Sequence, residues 1–340
     1  MENVLIIAEA GVNHNGSLSL AKKMVMAAKK AGADIVKFQT GIAELIVSGE
    51  APKADYQKHT TGATESQLTM LKKLLLPLDD FQILKNYCDD LGIMFMSTAF
   101  DMPSLDLLVK LGQKSFKVPS GEITNLPYLQ KIASYDAETI LSTGMADLDE
   151  INEAIDVMLA AGLNKDKLVI LHCTTAYPTP LDEVNLNAMK SIQEKFGVRV
   201  GYSDHTLGIE VPIAAVALGA TVIEKHFTLD RNMEGPDHSA SLEPDELAQM
   251  ISCVRNIEKA LGNSNKAPSN SEMQNIIAAR RSIHTAKPLK EGEIITEDSL
   301  IMKRPGDGIS PMQIGSILGK RAAHPVSEGT KLQLQDVEGA

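Results

Sequence analysis

Eight short apolar runs, each followed by a stretch with helical spacing, constrain this 340-residue chain more than any other feature. The runs are Val4–Ala8, Ile35–Gln39, Ile93–Ser97, Lys114–Val118, Thr139–Ser142, Lys167–His172, Val198–Val200 and Thr221–Phe227. Helical patterns cover Leu18–Ala31, Gln67–Leu76, Asp79–Leu91, Pro103–Leu111, Leu126–Ser134, Asp147–Ala161, Val184–Phe196, Ile209–Ala220 and Pro244–Leu261. Asp147 stands where a helix N-cap belongs. A strand, helix, strand unit makes consecutive strands parallel, with their C-terminal ends at one edge. Eight such units over roughly 260 residues is the arithmetic of an α/β chain forming a (β/α)₈ TIM barrel. An open doubly wound sheet would need a Gly-rich first turn, and Gly11-Val12-Asn13-His14-Asn15-Gly16 is not that fingerprint.

The barrel is expected to occupy residues 1–262. Within it, Gly41 to Ser66 is a long polar excursion, which suggests a binding loop. Residues 263–281 are polar and read as a linker. Residues 282–340 alternate short apolar runs with turns at Lys290-Glu291-Gly292 and Ser327-Glu328-Gly329. They predict a small β-rich domain, marginal in core size by itself.

Composition narrows the partners. A net charge of −11, with no local basic patch, argues against nucleic acid. Cys88, Cys173 and Cys253 are scattered without paired spacing, as in a reducing cytoplasm. The run Val211 to Ile223 contains Pro212 and is too short to span a bilayer, so no membrane is expected. No targeting segment is visible, since Val4 to Ala8 lacks a basic start and is broken by Glu9. The expectation is a cytoplasmic protein.

In a barrel, residues just past each strand gather at one mouth. Here they are Glu9, then Lys37 and Gln39, Ser97 and Thr98, Lys117 with Ser120 and Glu122, and Ser142-Thr143-Gly144. His172 with Thr174, Thr175 and Tyr177 follows, then Ser203, Asp204, His205 and His226. Packing alone would not make nearly every strand end polar. His205 and His226, on consecutive and adjacent strands, could share one ion, and neutral imidazole suits Mn²⁺, Zn²⁺ or Fe²⁺. Lys37 and Lys117, flanked by apolar residues, suit an anion better than a surface role. Ser120-Gly121-Glu122 and Ser142-Thr143-Gly144 could be ordinary turns or phosphate cradles. Glu9 and Glu122 could pair with the lysines or act as acid and base.

Taken together, these motifs resemble the sialic acid synthase family. The resemblance runs through Glu9-Ala10-Gly11-Val12-Asn13-His14-Asn15-Gly16, Val36-Lys37-Phe38-Gln39-Thr40 and Lys117-Val118-Pro119-Ser120-Gly121-Glu122. It continues through Tyr177-Pro178-Thr179-Pro180, Gly201-Tyr202-Ser203-Asp204-His205-Thr206 and Glu224-Lys225-His226-Phe227-Thr228. The tail, with Lys303-Arg304-Pro305-Gly306-Asp307-Gly308, resembles the family's C-terminal antifreeze-like (SAF) domain.

The resemblance implies condensation of phosphoenolpyruvate with the open-chain aldehyde of an N-acetylated mannose-type sugar, giving a nine-carbon 2-keto acid and phosphate. It implies a divalent metal, Mn²⁺ first and Mg²⁺ or Co²⁺ otherwise, on His205 and His226. Lys37, Thr98, Lys117, Ser120, Ser142 and Ser203 would hold phosphoenolpyruvate. Glu122, Tyr177 and Asp237 would face the sugar and the reacting water, with Glu9 in the same site. Arg304 would reach the sugar of a neighbouring subunit in a domain-swapped homodimer.

Two departures bear on the sugar. Thr175 stands where sialic acid synthases proper carry Asn, and Pro119 where they carry Gly. The following Ile123-Thr124-Asn125-Leu126-Pro127 is closer to the N,N'-diacetyllegionaminate synthases, whose substrate is 2,4-diacetamido-2,4,6-trideoxy-mannopyranose. N-acetylneuraminate synthesis from N-acetylmannosamine and pseudaminic acid synthesis are the alternatives within the family. A Schiff-base aldolase using Lys37 or Lys117, and a non-catalytic sugar-binding protein, are the alternatives outside it.

Overall fold

The computed structural model describes residues 3–62 and 64–339. The chain divides into two units, Met1–Gly262 and Asn263–Ala340. The first is built on eight parallel strands: β1 (Leu5–Gly11), β2 (Ile35–Thr40), β3 (Met94–Ala99), β4 (Ser115–Val118), β5 (Glu138–Ser142), β6 (Leu168–His172), β7 (Arg199–Asp204) and β8 (Val222–His226). They are ordered β3-β2-β1-β8-β7-β6-β5-β4, so β1 pairs with β8 and the sheet curls into a TIM barrel with its seam between β3 and β4. At that seam the Gln113 side chain stands in for a strand. Its Oε1 accepts from Ser97 N–H at 2.8 Å and its Nε2 donates to Ser97 C=O at 3.0 Å. A primary amide offers the same donor and acceptor as a peptide, so β3 keeps its buried backbone satisfied.

Strand alternation sets what lies inside. Ile7, Ile35, Met96, Ile140, Val169, Leu171 and Val222 pack the lower interior. Two residues further along the same faces come Glu9, Lys37, Thr98, Ser142 and Glu224. The opposite faces, with Ile6, Val36, Phe38, Ile170, Val200 and Ile223, pack against the helices in one continuous core. Each large side chain fully buried there contributes ~1.5–3 kcal/mol. The helix Leu148–Ala160 starts at Asp147, whose carboxylate caps Asp149 and Glu150 N–H, both at 2.9 Å.

Some local expectations change. Gly201 to Asp204 prolong the strand instead of ending it, because they stay paired to β6 and β8, and Gly201 lets the strands approach closely: a Cβ there would lie 2.4 Å from Val222 O. The helix expected from Val184 starts at Ala188, after a 3₁₀ turn at Leu181–Glu183 and a left-handed Asn185 at φ 49°. The polar excursion carries two short helices, Ala43–Ile46 and Asp55–Thr61. Buried Lys53 pins it, donating to Thr61 Oγ1 at 2.9 Å and Gly62 O at 3.0 Å and pairing with Glu65 at 3.0 Å.

In the second unit, the stretch expected as a linker carries a helix, Asn270–Ala279, with Ser269 in a capping box with Glu272. Beyond it, β9 (Ser282–Thr285) pairs antiparallel with β10 (Leu300–Lys303). The remaining pairing is in isolated bridges such as Leu289 with Val326 and Ala322 with Val337. This unit is less regularly β than its sequence pattern implied, because turns interrupt it every few residues. Ile283, Leu289, Ile295, Ile317, Ala322, Val326 and Leu332 form its core. Among the described residues, no helix is long and apolar enough to cross a membrane.

Candidate active site

A cavity of about 280 Å³ opens at the C-terminal edge of the barrel. Glu9, Lys37, Thr98, Lys117, Ser120, Ser142, Thr175, Tyr177, Ser203, His205, His226 and Asp237 all line it, so the structure brings these expected residues together.

At its floor lie four buried charges. Lys37 Nζ is 2.9 Å from Glu9 Oε2 and 3.6 Å from Glu224 Oε2, and Lys117 Nζ is 3.4 Å from Glu224 Oε1. The parallel ladder places them: Glu9 is level with Lys37 across β1 and β2, and Ser203 with Glu224 across β7 and β8. Lys37 also donates to Thr98 Oγ1 at 3.2 Å, and Ser203 Oγ donates to Glu224 Oε1 at 3.1 Å. Burial pushes the Glu9 carboxyl up to about 7, against the pull of Lys37. Burial would raise Glu224 too, but Lys117 and Lys37 hold it well below the usual carboxylate range. Burial lowers Lys117, whereas Glu224 and Glu9 outweigh burial at Lys37 and raise it.

Above the floor, the loop Ser142-Thr143-Gly144 packs against Ser120. Gly144 N–H donates to Ser120 Oγ at 2.9 Å, and a Cβ on Gly144 would meet Thr175 Cγ2 at 2.6 Å, so only glycine fits. Ser142 Oγ is buried without a partner. The arrangement offers two cations and several hydroxyls to one compact anion.

The two histidines face each other with ring centroids 5.4 Å apart. His205 Nδ1 lies 2.5 Å from Thr174 O, and a carbonyl can only accept, so Nδ1 carries the proton and Nε2 keeps a free lone pair. Burial pushes His205 down to about 4 and His226 well below its ordinary value, keeping both imidazoles neutral. His226 Nδ1 is buried without a hydrogen-bond partner and lies 4.0 Å from Asp237 Oδ2. Burial raises Asp237 to about 6. Among the described residues, no trio of His, Cys, Asp or Glu gathers to hold a metal. Two neutral imidazoles with an orphaned nitrogen nevertheless fit a divalent ion that takes its remaining ligands from substrate or water.

Tyr177 packs tilted against His205 with 4.1 Å between ring centroids, and Tyr56, from the excursion, stacks on Tyr177 at 4.8 Å. Of the barrel residues expected to touch substrate, Glu122 is not on this wall. The 3₁₀ turn Ser120–Glu122 presents Ser120 and Gly121 to the cavity, while Glu122 is off its wall and accepts from Asn125 Nδ2 at 2.5 Å. Arg304 belongs to the second unit, exposed, with Nε donating to Ala279 O at 3.0 Å.

Sequence reasoning passed over Glu224, which touches both lysines. The signal was present: it precedes His226 by two residues on one strand and so shares its face. It also passed over Tyr56, Met70, Leu71 and Leu74, which reach the cavity from the excursion and the helix after it.

Comparison with known proteins agrees with the motifs. An N,N'-diacetyllegionaminic acid synthase of Campylobacter jejuni is 53% identical, covering 96% of this chain and 98% of that one. One from Legionella pneumophila is 48% identical, covering 98% and 94%. The crystal structure of an N-acetylneuraminic acid (sialic acid) synthetase from Leptospira borgpetersenii, in complex with citrate, superposes with a TM-score of 0.71 at 34% identity, covering 81% of this chain and 90% of that one. The SAF domain model matches residues 280–338 and the NeuB family model residues 24–266; the chain belongs to the NeuB family.

Proposed function

We propose that this chain joins phosphoenolpyruvate, water and the open-chain form of 2,4-diacetamido-2,4,6-trideoxy-mannopyranose into N,N'-diacetyllegionaminate and phosphate. The observation that carries the reading is the juxtaposition, in one cavity, of the Lys37–Lys117 pair and its hydroxyls with two neutral histidines. Phosphoenolpyruvate is a compact multiple anion, which Lys37, Lys117, Thr98, Ser120, Ser142 and Ser203 are suited to bind. Carbon 3 of phosphoenolpyruvate bonds to the aldehyde carbon, water adds at carbon 2, and phosphate leaves as the 2-keto group forms. The water proton needs a base, and Glu9, poised near 7 by burial, fits that task. Asp237 is the second carboxyl placed to exchange a proton with the sugar oxygen. Glu122 would join them only by leaving Asn125.

His205 and His226 are the residues that would hold a divalent metal, Mn²⁺ first and Mg²⁺ or Co²⁺ otherwise. Such an ion, when bound, polarises a carbonyl oxygen and lowers the pKa of water.

The proposal includes a domain-swapped homodimer in which Arg304 serves the sugar held by the partner, supported by the family resemblance of the tail; sedimentation at a monomer mass would exclude it. It also places the enzyme in the cytoplasm, in keeping with the three free cysteines, and fractionation of cells reads that directly.

The deciding experiment offers phosphoenolpyruvate with the diacetamido sugar or with N-acetylmannosamine, with and without exhaustive chelation. Mass spectrometry should find a nine-carbon acid, phosphate release should require the sugar, and chelation should stop both. Phosphate release without any sugar would reject the reading, and full activity after chelation would reject the metal.

A further inference from the structure

The cavity has two unlike halves. Strand ends supply a polar floor, whereas one side of the rest is apolar. In the helix Gln67–Leu74, Gln67, Met70, Leu71 and Leu74 recur at i, i+3, i+4 and i+7, and all four line the cavity. An amphipathic helix usually lays its apolar stripe on the protein core. This stripe does not: Met70 and Leu74 pack with Val12 and Leu75 in a small cluster separate from the main core. The polar face of the helix is committed elsewhere, with Lys72 paired to Glu44 and Lys73 to Glu65.

A site meant only for phosphoenolpyruvate and a fully hydroxylated sugar has little use for the Met70, Leu71 and Leu74 part of this wall, since away from the Gln67 amide at its start a hydroxyl set against it finds no partner. Methyl groups are what it can accept. The reacting carbonyl must meet the polar floor, so the far end of the sugar is left to face the helix. Resting on the synthase reading above, we infer that the apolar face of helix Gln67–Leu74, with Val12, is the element that selects the sugar. It favours an aminosugar with a deoxygenated terminal carbon and a second acetamido methyl over one with free hydroxyls.

Leu71 is the residue to test, because it is half-buried and lies outside the main core, where a change does not threaten the barrel. The readout is the ratio of kcat/KM for 2,4-diacetamido-2,4,6-trideoxy-mannose to that for N-acetylmannosamine. A hydrophobic pocket discriminates by about 10–200-fold per methylene-sized difference. Leu71→Gln should therefore reduce the ratio by roughly tenfold or more, through the KM of the diacetamido sugar, with the KM for phosphoenolpyruvate unchanged. Leu71→Met, which conserves volume, should keep the wild-type ratio. An unchanged ratio in Leu71→Gln, including a parallel loss with both sugars, overturns the inference while leaving the synthase reading intact. If wild-type protein makes product from neither sugar, the synthase reading falls and this inference falls with it.

Discussion

Ser203 and Asp204 on β7, and Glu224 and Lys225 on β8, are sequence neighbours that face opposite sides of the barrel wall. All four positions are buried and both faces carry charge, yet they are finished differently. On the outer face Lys225 Nζ lies 2.5 Å from Asp204 Oδ2 and 2.5 Å from Thr206 O. Asp204 further accepts from Thr206 N–H at 3.0 Å and Thr206 Oγ1 at 3.1 Å. That network is closed. On the inner face Glu224 is shared between two lysines at 3.4 and 3.6 Å, and nearby Ser142 Oγ and His226 Nδ1 have no partner. A buried network left open costs stability unless something else completes it. The difference teaches that burial and charge do not identify a site. Unmet hydrogen-bonding capacity, collected around a cavity, does.

The largest effect should come from breaking the closed network. Asp204→Ala leaves Lys225 buried and uncompensated, and loss of one partner of such a pair costs about 3–5 kcal/mol. Denaturant unfolding should show that loss, while the folded fraction keeps its kcat. The double variant Asp204→Val/Lys225→Met should recover most of the stability, since replacing both partners by apolar residues is often neutral. Lys117→Met inverts the pattern. It should lower kcat/KM by about 10²–10³, the range for removing one preorganised charge-stabilising group, with a smaller change in unfolding. A comparable activity loss in Asp204→Ala would erase the distinction between the two faces.

Much of this was legible beforehand. The apolar runs gave the strands because two-residue alternation and crossover helices leave few other arrangements. The strand ends then supplied most of the cavity, since a parallel barrel must gather them. Glu224 was missed because Val222-Ile223-Glu224-Lys225-His226 puts opposite charges side by side, which reads as a solvated end unless each is assigned to its own face. Gln113 was invisible for another reason: that a side-chain amide replaces a strand at the seam depends on β3 and β4 failing to pair. The helix of the excursion on which Tyr56 sits is seven residues long and pinned by Lys53 through contacts no periodicity encodes. Its contribution to the cavity was therefore out of reach.

A subtler test uses pH. Glu9 has an ordinary value of 4.5 and is raised to about 7, chiefly by burial. A carboxyl raised on folding contributes stability that is fully present below its unfolded value and is lost as pH rises through the folded one. From pH 4.5 to about 7, then, the wild type should progressively lose stability, because Glu9 ionises in the unfolded chain while it stays protonated in the fold. Glu9→Gln, neutral throughout, should lack that component, so the difference between the two proteins in urea midpoint should grow over this window in the variant's favour. Activity should move the other way, because the variant has no base to take the water proton. Parallel pH curves for wild type and variant would mean that Glu9 ionises as freely in the fold as out of it.

The smallest effect tests whether the two faces are independent at their closest point. Thr206 belongs to the closed network, yet it directly follows His205 in the chain. Thr206→Val keeps the shape and removes one of the donors to Asp204, leaving its own N–H and Lys225 in place. One such hydrogen bond is worth about 0.5–1.5 kcal/mol, which a careful unfolding titration resolves. His205 is held separately, by Thr174 O on its ring and by Thr179 N–H on its carbonyl at 2.9 Å. If those two anchors fix the imidazole, kcat/KM should stay at the wild-type value although stability drops. A loss of kcat/KM exceeding the loss of stability would mean that the closed network also aims His205, and that the outer face is part of the site.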